Sequence, residues 1–156
     1  MNPRIGFLIG CVSIALTSPA ASADAVGPRS ELCNKLQKTV AEVTGKAFKP
    51  AKSLDVKGHP LLCIYSPQEG WQGVNFELPD GDAKKLAEWR ASFKNAPNKI
   101  STDFKDLPEL GPGAFRGNEG GLVHVHGLAK KGLLVVRGGF KADVEVQLWK
   151  RIASEL

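Results

Sequence analysis

The chain has 156 residues, of which 42% are hydrophobic and 24% charged, and its formal net charge is +5. This size fits one ordinary domain with a single core. The lysines are spread along the sequence, and Lys84-Lys85 and Lys130-Lys131 are the only adjacent pairs. Because a nucleic-acid-binding protein clusters its cations on one face among aromatic residues, the charge pattern predicts no nucleic-acid partner.

Residues 1–23 have the three parts of a secretory signal. Arg4 supplies the positive charge, Ile5 to Leu16 form the apolar stretch, and Ala21 to Ala23 form a small-residue cleavage site before Asp24. The apolar stretch is shorter than the roughly 20 residues that cross a bilayer. We therefore predict cleavage, export to the periplasm or the medium, and no transmembrane segment in the mature chain.

A competing interpretation of the same segment is a lipoprotein signal. The residues Leu8 to Cys11 resemble a lipoprotein box, in which Cys11 would carry the lipid. That cleavage would leave an apolar region of only Ile5 to Gly10, shorter than the roughly 7–15 residues of a typical signal. The length favours soluble export and keeps lipidation of Cys11 as the alternative.

Removal of residues 1–23 leaves a single domain of 133 residues, 24–156, with two cysteines. Cys33 and Cys63 form an even pair in an oxidising compartment, which predicts a disulfide. Closing a loop of about 30 residues stabilises a fold by roughly 3–4 kcal/mol in the loop-entropy model. A redox-active pair usually has C-x-x-C spacing, and the 29 residues between these cysteines argue against it.

The first half of the mature chain predicts one helix followed by strands. Apolar residues recur at helical spacing from the N-cap Ser30 to Gly45. Extended segments follow at 54–56 and 61–65, with a turn at 57–60. Segment 71–79 alternates apolar and polar residues, which predicts a strand with one solvated face.

The second half predicts a helix, more strands and a final helix. Asp80 or Asp82 caps the second helix, which Pro97 ends. A strand at 100–107 and a loop at 108–121, rich in turn-forming residues, follow. A hairpin at 122–137 and a helix from Asp143 to the last residue complete the chain. This order predicts an α+β fold, with a mostly antiparallel sheet and its helices packed on one face.

The hairpin carries the sharpest candidate site, His124 and His126. Alternate residues of a strand share a face, so the two side chains project together about 6–7 Å apart. They could be two ligands of Zn²⁺ or Cu²⁺, with His59 or an acidic residue as a third. Alternatively, Val123 and Val125 face the core and the histidines face solvent. The sequence favours the interpretation in which the histidines face solvent. Metal binding or pH sensing by the two histidines is the alternative, and no cofactor other than a divalent metal is predicted.

The three tryptophans differ in their predicted places. Trp89 and Trp149 lie on the inner stripes of helices and are predicted core residues. Trp71 shares its strand parity with polar residues and lies between Gly70 and Gly73. It is either an anchor for a ligand or partner, or a cap on the edge of the core.

The sequence contains none of the common catalytic motifs: no G-x-S-x-G, no H-E-x-x-H and no phosphate-binding G-x-x-x-x-G-K-[ST]. A two-carboxylate hydrolase remains an alternative. The acidic residues available for it are Asp80, Asp82, Asp103, Asp106, Glu109 and Glu119. Their spacing singles out no pair, so the sequence favours a protein that is not an enzyme.

Three features together point to a known group of proteins. Cys33 begins a helix, Cys63 lies in the following strands, and the turn Leu110 to Ala114 precedes a closing hairpin. The chain thereby resembles small exported bacterial envelope proteins and lipoproteins of unknown function. The resemblance implies a disulfide-linked α+β envelope domain and brings no catalytic residues. We therefore expect a non-catalytic periplasmic or secreted domain that binds another envelope component, either a protein or a polymer.

Overall fold

The computed structural model describes residues 28–56, 59–95 and 101–156. These residues form three α-helices, one short 3₁₀ turn and seven strands. The signal sequence at 1–23 and the first two residues of the turn at 57–60 lie outside the described residues. The elements in chain order are α1 Pro28–Thr44, β1 Lys52–Val56, β2 His59–Tyr65, β3 Val74–Leu78, α2 Ala83–Lys94, β4 Ser101–Asp106, the 3₁₀ turn Pro108–Leu110, β5 Phe115–Glu119, β6 Leu122–Ala129, β7 Gly132–Gly138 and α3 Ala142–Glu155.

The strands form one antiparallel sheet in the order β1-β2-β3-β7-β6-β5-β4. Each half is a meander, and the halves join where β3 pairs with β7. Phe76 of β3 lies opposite Val136 of β7, which lies opposite Val125 of β6. The predicted α+β class with an antiparallel sheet is confirmed.

One face of the sheet is covered by α1 and α3 and holds the main core. The predicted disulfide is present: it joins Cys33 of α1 to Cys63 of β2, whose Cα atoms are 5.5 Å apart. The Tyr65 hydroxyl donates a hydrogen bond of 2.9 Å to the Cys33 carbonyl oxygen. Residues at helical spacing in α1 and α3 and at alternate positions in the strands fill this core, as the hydrophobic periodicity predicts.

Trp149 fixes α3 on this face. Its indole nitrogen donates a 3.1 Å hydrogen bond to the carbonyl oxygen of Leu134, and the ring is buried as predicted. The ring lies over Gly127, where a β-carbon would stand only 2.7 Å from Cζ2 of Trp149. Only glycine therefore allows the helix to approach the sheet this closely.

The third helix, α2, lies on the opposite face. Asp82 caps it, because its carboxylate accepts hydrogen bonds of 2.9 and 3.1 Å from the backbone N–H groups of Lys84 and Lys85. Leu86 packs with Phe115 and Leu133 in a second, smaller cluster. The expectation of helices on one face thus holds for α1 and α3, while α2 crosses the other face over β4 to β7.

One predicted loop contains a strand. Segment 108–121 is rich in turn residues, yet Phe115 to Glu119 form β5, which pairs with β4 and β6. The sequence signal is weak because the strand has a single large apolar side chain, Phe115, followed by Arg, Gly, Asn and Glu. Pairing on both sides stabilises the strand where its own composition does not. The loop prediction was wrong over these residues.

Candidate functional site

The hairpin β6–β7 turns the two histidines away from the main core. Val123 and Val125 face α1 and α3, as predicted, and His124 and His126 point to the opposite face. There they are 7% and 2% exposed. The prediction that His124 and His126 face solvent is therefore wrong, because α2 crosses the hairpin and covers both imidazoles.

His126 lies in an aromatic cage. Its ring stacks on Phe115 with centroids 4.5 Å apart and planes 5° from parallel. Phe93 and Trp89 of α2 meet it edge-on at 5.0 and 5.5 Å. The inner stripe predicted for α2 is thus present, and it presses against histidines as well as against apolar side chains.

The polar atoms in this cage have no hydrogen-bond partners among the described residues. They are both ring nitrogens of His126, Nδ1 of His124 and Nε of Arg137. Oε2 of Glu119 lies 4.0 Å from Nδ1 of His124. Because a buried polar group without a partner costs about 1–3 kcal/mol, such groups in a native protein call for an explanation.

The histidines are held in the neutral form. Burial, together with the positive charge of Arg137, lowers the pKa of His124 from 6.5 to about 4. Burial, the neighbouring His124 and Arg137 together hold the pKa of His126 well below its ordinary value. At neutral pH each imidazole therefore offers one N–H donor and one lone pair.

These side chains surround a cavity of about 120 Å³ between the second half of α2 and strands β5 to β7. Arg137, directly opposite His124 in the sheet, forms its outer wall and is half-buried. The Nη2 atom of the Arg137 guanidinium forms an ion pair with the buried Glu77 of β3. The residues that line the cavity are Trp89, Ser92, Phe93, Glu119, His124, His126 and Arg137.

Trp71 lies on the same side of the sheet as this cavity. A side chain at Gly138 would meet Glu145 of α3, whereas one at Gly139 would lie 3.1 Å from Cζ3 of Trp71. Gly139 directly follows β7, and its backbone N–H still donates a 3.3 Å hydrogen bond to the Gly73 carbonyl oxygen. Because successive residues of an extended chain point to opposite faces, Trp71 lies on the face away from α3. It is 75% exposed. It does not cap the core.

The sheet beside Trp71 is only partly covered. Leu54 is 45% exposed and Leu122 is 37% exposed, and together with Trp71 they are the exposed large apolar residues in the described part of the chain. Leu62 and Ile64, half-buried, lie between Leu54 and the centre of the sheet. Strand alternation places the four aliphatic residues on the face that α2 covers in part, which is also the face of Trp71. We call this surface, Leu54, Leu62, Ile64, Trp71 and Leu122, the open face.

The acidic residues proposed for a hydrolase have structural partners in several cases. Asp82 caps α2, and Asp103 forms an ion pair with Arg116. Asp106 accepts two hydrogen bonds of 2.8 Å from Arg90, whose charge lowers the pKa of this carboxyl group. These two residues line a groove of about 590 Å³ beside α2. Hydrolase activity therefore stays a prediction, and the described residues show no pair of carboxylates placed as general acid and base.

The described residues contain no group of three or more His, Cys, Asp and Glu side chains placed to hold one metal ion. The ring centroids of His124 and His126 are 6.0 Å apart, close to the expected separation. His59 begins β2 at the far side of the sheet, and its side chain lies outside the described residues. The structure thus brings two of the predicted ligands together and shows no third.

The sequence analysis did not single out two polar residues, Arg137 at the cavity and Glu145 in α3. Glu145 is fully buried over Gly138, and one carboxylate oxygen accepts a 3.3 Å hydrogen bond from the Phe140 N–H group. Burial raises its pKa from 4.5 to about 7. A signal existed in the sequence, because Glu145 shares the helical stripe of Leu148 and Trp149.

Comparisons with protein-family models, curated proteins and solved structures give no match to this chain. The resemblance to exported envelope proteins therefore stays a prediction. Within the described ranges, no helix has the length and apolar character needed to cross a bilayer.

Proposed function

We propose that this chain is a non-catalytic, exported domain that binds another protein of the cell envelope through the open face. The observation that carries the proposal is Trp71, which is 75% exposed on the same face as the other exposed large apolar residues. Isolated apolar residues on a surface are ordinary, but their collection on one partly covered face is typical of an interaction surface.

The composition of the face favours a protein partner. Tryptophan and arginine are the residues that most often dominate the energetics of protein–protein interfaces, and Trp71 and Arg137 lie on this face. Along one row of the sheet, Lys52 and Arg137 lie on either side of Ile64 and Asn75. We infer a partner with an apolar patch flanked by acidic side chains.

Export rests on two supports. Residues 1–23 have the organisation of a secretory signal. The Cys33–Cys63 disulfide joins α1 to the sheet, and such bonds persist mainly in oxidising compartments. We infer a periplasmic or secreted protein.

The test is direct binding to a purified partner. The exported chain is cross-linked in envelope extract to identify the partner, and the dissociation constant of the purified pair is then measured by calorimetry. Trp71→Ala should weaken binding by about 30-fold or more, as expected for a central aromatic residue of an interface. Trp71→Phe should restore part of the affinity.

Lys150→Ala is the matched control, because Lys150 is exposed on α3 at the opposite face of the sheet. It should bind like the wild type. Equal affinity of Trp71→Ala and Lys150→Ala for the purified partner would refute the open face as the interface. Failure of the exported chain to bind any purified envelope protein would refute the proposal itself.

Metal binding by His124 and His126 is the second candidate, supported by their neutral imidazoles on one side of β6. Against it stands Arg137, whose positive charge acts on both rings and opposes a second cation. Calorimetric titration with Zn²⁺ or Cu²⁺ tests this candidate. Unchanged metal affinity in the double variant His124→Ala, His126→Ala would eliminate it.

A further inference from the structure

Several buried polar atoms at the cavity beside α2 have no hydrogen-bond partner among the described residues. His126 is 2% exposed, lines the cavity, and has two unpartnered ring nitrogens among the described residues. Phe115, Phe93 and Trp89 enclose the ring on its other sides. An apolar side chain of the same shape would pack there without an unsatisfied group, so the histidine has a use that packing does not explain.

The polar atoms that line the cavity are rich in N–H donors. Arginine has no acceptor atom, so the unpartnered Nε of Arg137 is a donor under all conditions. His124 and His126, as neutral imidazoles, each supply one N–H group as well. An occupant that satisfies these groups must therefore present strong acceptor atoms, and an anionic oxygen is the strongest common acceptor.

The charges around the cavity also favour an anion. Arg137 is the charged side chain whose field acts on both histidines, and it lowers the pKa of each. Glu77 forms an ion pair with Nη2 of the guanidinium, and Nε has no hydrogen-bond partner among the described residues. Glu119 is the one carboxylate among the lining residues, and it is exposed at the rim, where solvent screens its charge.

The size limits the occupant. A cavity of about 150 Å³ holds a benzene molecule, so a cavity of about 120 Å³ has room for a somewhat smaller group. That space fits a carboxylate on a short carbon stem. The planar carboxylate matches the N–H geometry of an arginine, and the stem would lie against Trp89 and Phe93.

We propose that this cavity binds the carboxylate of a small organic acid, held by N–H groups of Arg137, His124 and His126. The site adjoins the open face at Arg137, and the binding of an acid there does not depend on the proposed protein partner. The acid can be a free metabolite or the end of a larger molecule, and both sources share the same carboxylate chemistry.

The test uses acetate and its uncharged isostere acetamide as probes, in a buffer without carboxylates. Nitrogen NMR of the imidazole rings reports directly on His124 and His126. Acetate should shift both rings in a saturable manner, with a dissociation constant on the order of 1 mM for so small a ligand. Acetamide should bind at least tenfold more weakly. Extending the series to propionate and to dicarboxylates separates a free small acid from the end of a longer ligand.

Three variants separate loss of the site from loss of the fold. His126→Phe keeps the stack on Phe115 and removes the donor, so acetate affinity should fall tenfold or more while the melting temperature is unchanged or higher. Arg137→Lys keeps the charge next to Glu77 but loses the Nε–H group, and it should also weaken acetate binding. Glu119→Gln removes the rim carboxylate and should tighten acetate binding about twofold.

Glu119→Gln distinguishes an anion from a metal ion, because the loss of a negative charge favours the first and disfavours the second. Zn²⁺ alone is therefore titrated in parallel. Absence of saturable shifts with acetate, or equal affinity for acetamide, would overturn the proposal. So would Zn²⁺ binding that shifts both imidazoles and weakens in Glu119→Gln, which would assign the cavity to the metal candidate.

Discussion

The face of the sheet beneath α1 and α3 is apolar, closed and cross-linked by a disulfide, whereas the face beneath α2 carries polar side chains and is covered over only half its width. Most buried side chains of the first face have apolar neighbours or, like Tyr65, a buried hydrogen bond; Glu145 is the exception among the described residues, because one of its carboxylate oxygens has no hydrogen-bond partner there. On the second face, His124, His126 and Arg137 keep unpartnered nitrogens.

This contrast predicts that the two faces of the sheet have different roles, one in stability and the other in the proposed binding. Fully buried apolar residues contribute most per side chain to the free energy of folding, and they are concentrated under α1 and α3. Unsatisfied buried polar groups reduce that free energy, and among the described residues most of them lie under α2 beside the open face, with Glu145 as the exception. Each prediction below tests this division of roles, from the largest expected effect to the smallest.

Truncation of one phenylalanine on each face tests the division most strongly. Phe76 is fully buried between β2 and β7, and Phe76→Ala should lower the free energy of unfolding by about 4 kcal/mol. Phe93 of α2 is half-buried, and Phe93→Ala should cost roughly half as much. Urea denaturation measures both. Equal losses would show that the two faces contribute alike.

Removal of the disulfide should cost about 3–4 kcal/mol, because it releases a loop with a sequence separation of 30. The double variant Cys33→Ala, Cys63→Ala is compared with the wild type by urea denaturation under oxidising conditions. The imidazole resonances of His124 and His126 should stay unchanged in the folded variant, since the bridge lies on the other face. Altered histidine resonances would mean that the faces are coupled.

The two faces should respond to pH with opposite signs, and each unit of pKa difference corresponds to about 1.4 kcal/mol. Glu145 has a folded pKa of about 7 and an ordinary value of 4.5. Between these values the folded state holds more protons than the unfolded state, so stability falls as the pH rises. Glu145→Gln should therefore be more stable than the wild type above pH 7, by a margin that shrinks towards pH 4.5.

His124 has the reverse behaviour. Its folded pKa is about 4 against an ordinary value of 6.5, so the unfolded state binds more protons between these values. Stability should then fall as the pH falls from 6.5 to 4. In His124→Asn this acid-induced loss should become shallower in urea denaturation. An unchanged slope in the variant would contradict the assignment to His124.

Trp71→Ala should have the smallest effect on stability, within about 0.5 kcal/mol, because an exposed side chain loses little on truncation. Thermal denaturation, with Lys150→Ala as the control, measures it. A loss of several kcal/mol would place Trp71 in the core and would remove the main support for the open face.

Much of the fold could be predicted from local patterns. Helical spacing located α1, α2 and α3, and the two-residue period located the hairpin β6–β7 with its glycine at Gly132, where φ is 115°. The pair of cysteines predicted the bridge that the structure contains. Strand β5 was not predicted from the sequence, because Phe115 is its only large apolar residue. Its stability comes from pairing with both neighbouring strands rather than from its own composition.

For the candidate site, the sequence by itself determined that His124 and His126 share one side of a strand and that Trp71 departs from the core parity. Both facts follow from the alternation of side chains along an extended backbone, which is a local property. Only the tertiary structure decided that α2 buries the histidines, that Arg137 stands beside them, and that Trp71 stays exposed. Which face a helix covers depends on contacts between residues distant in sequence, and no local period encodes those contacts.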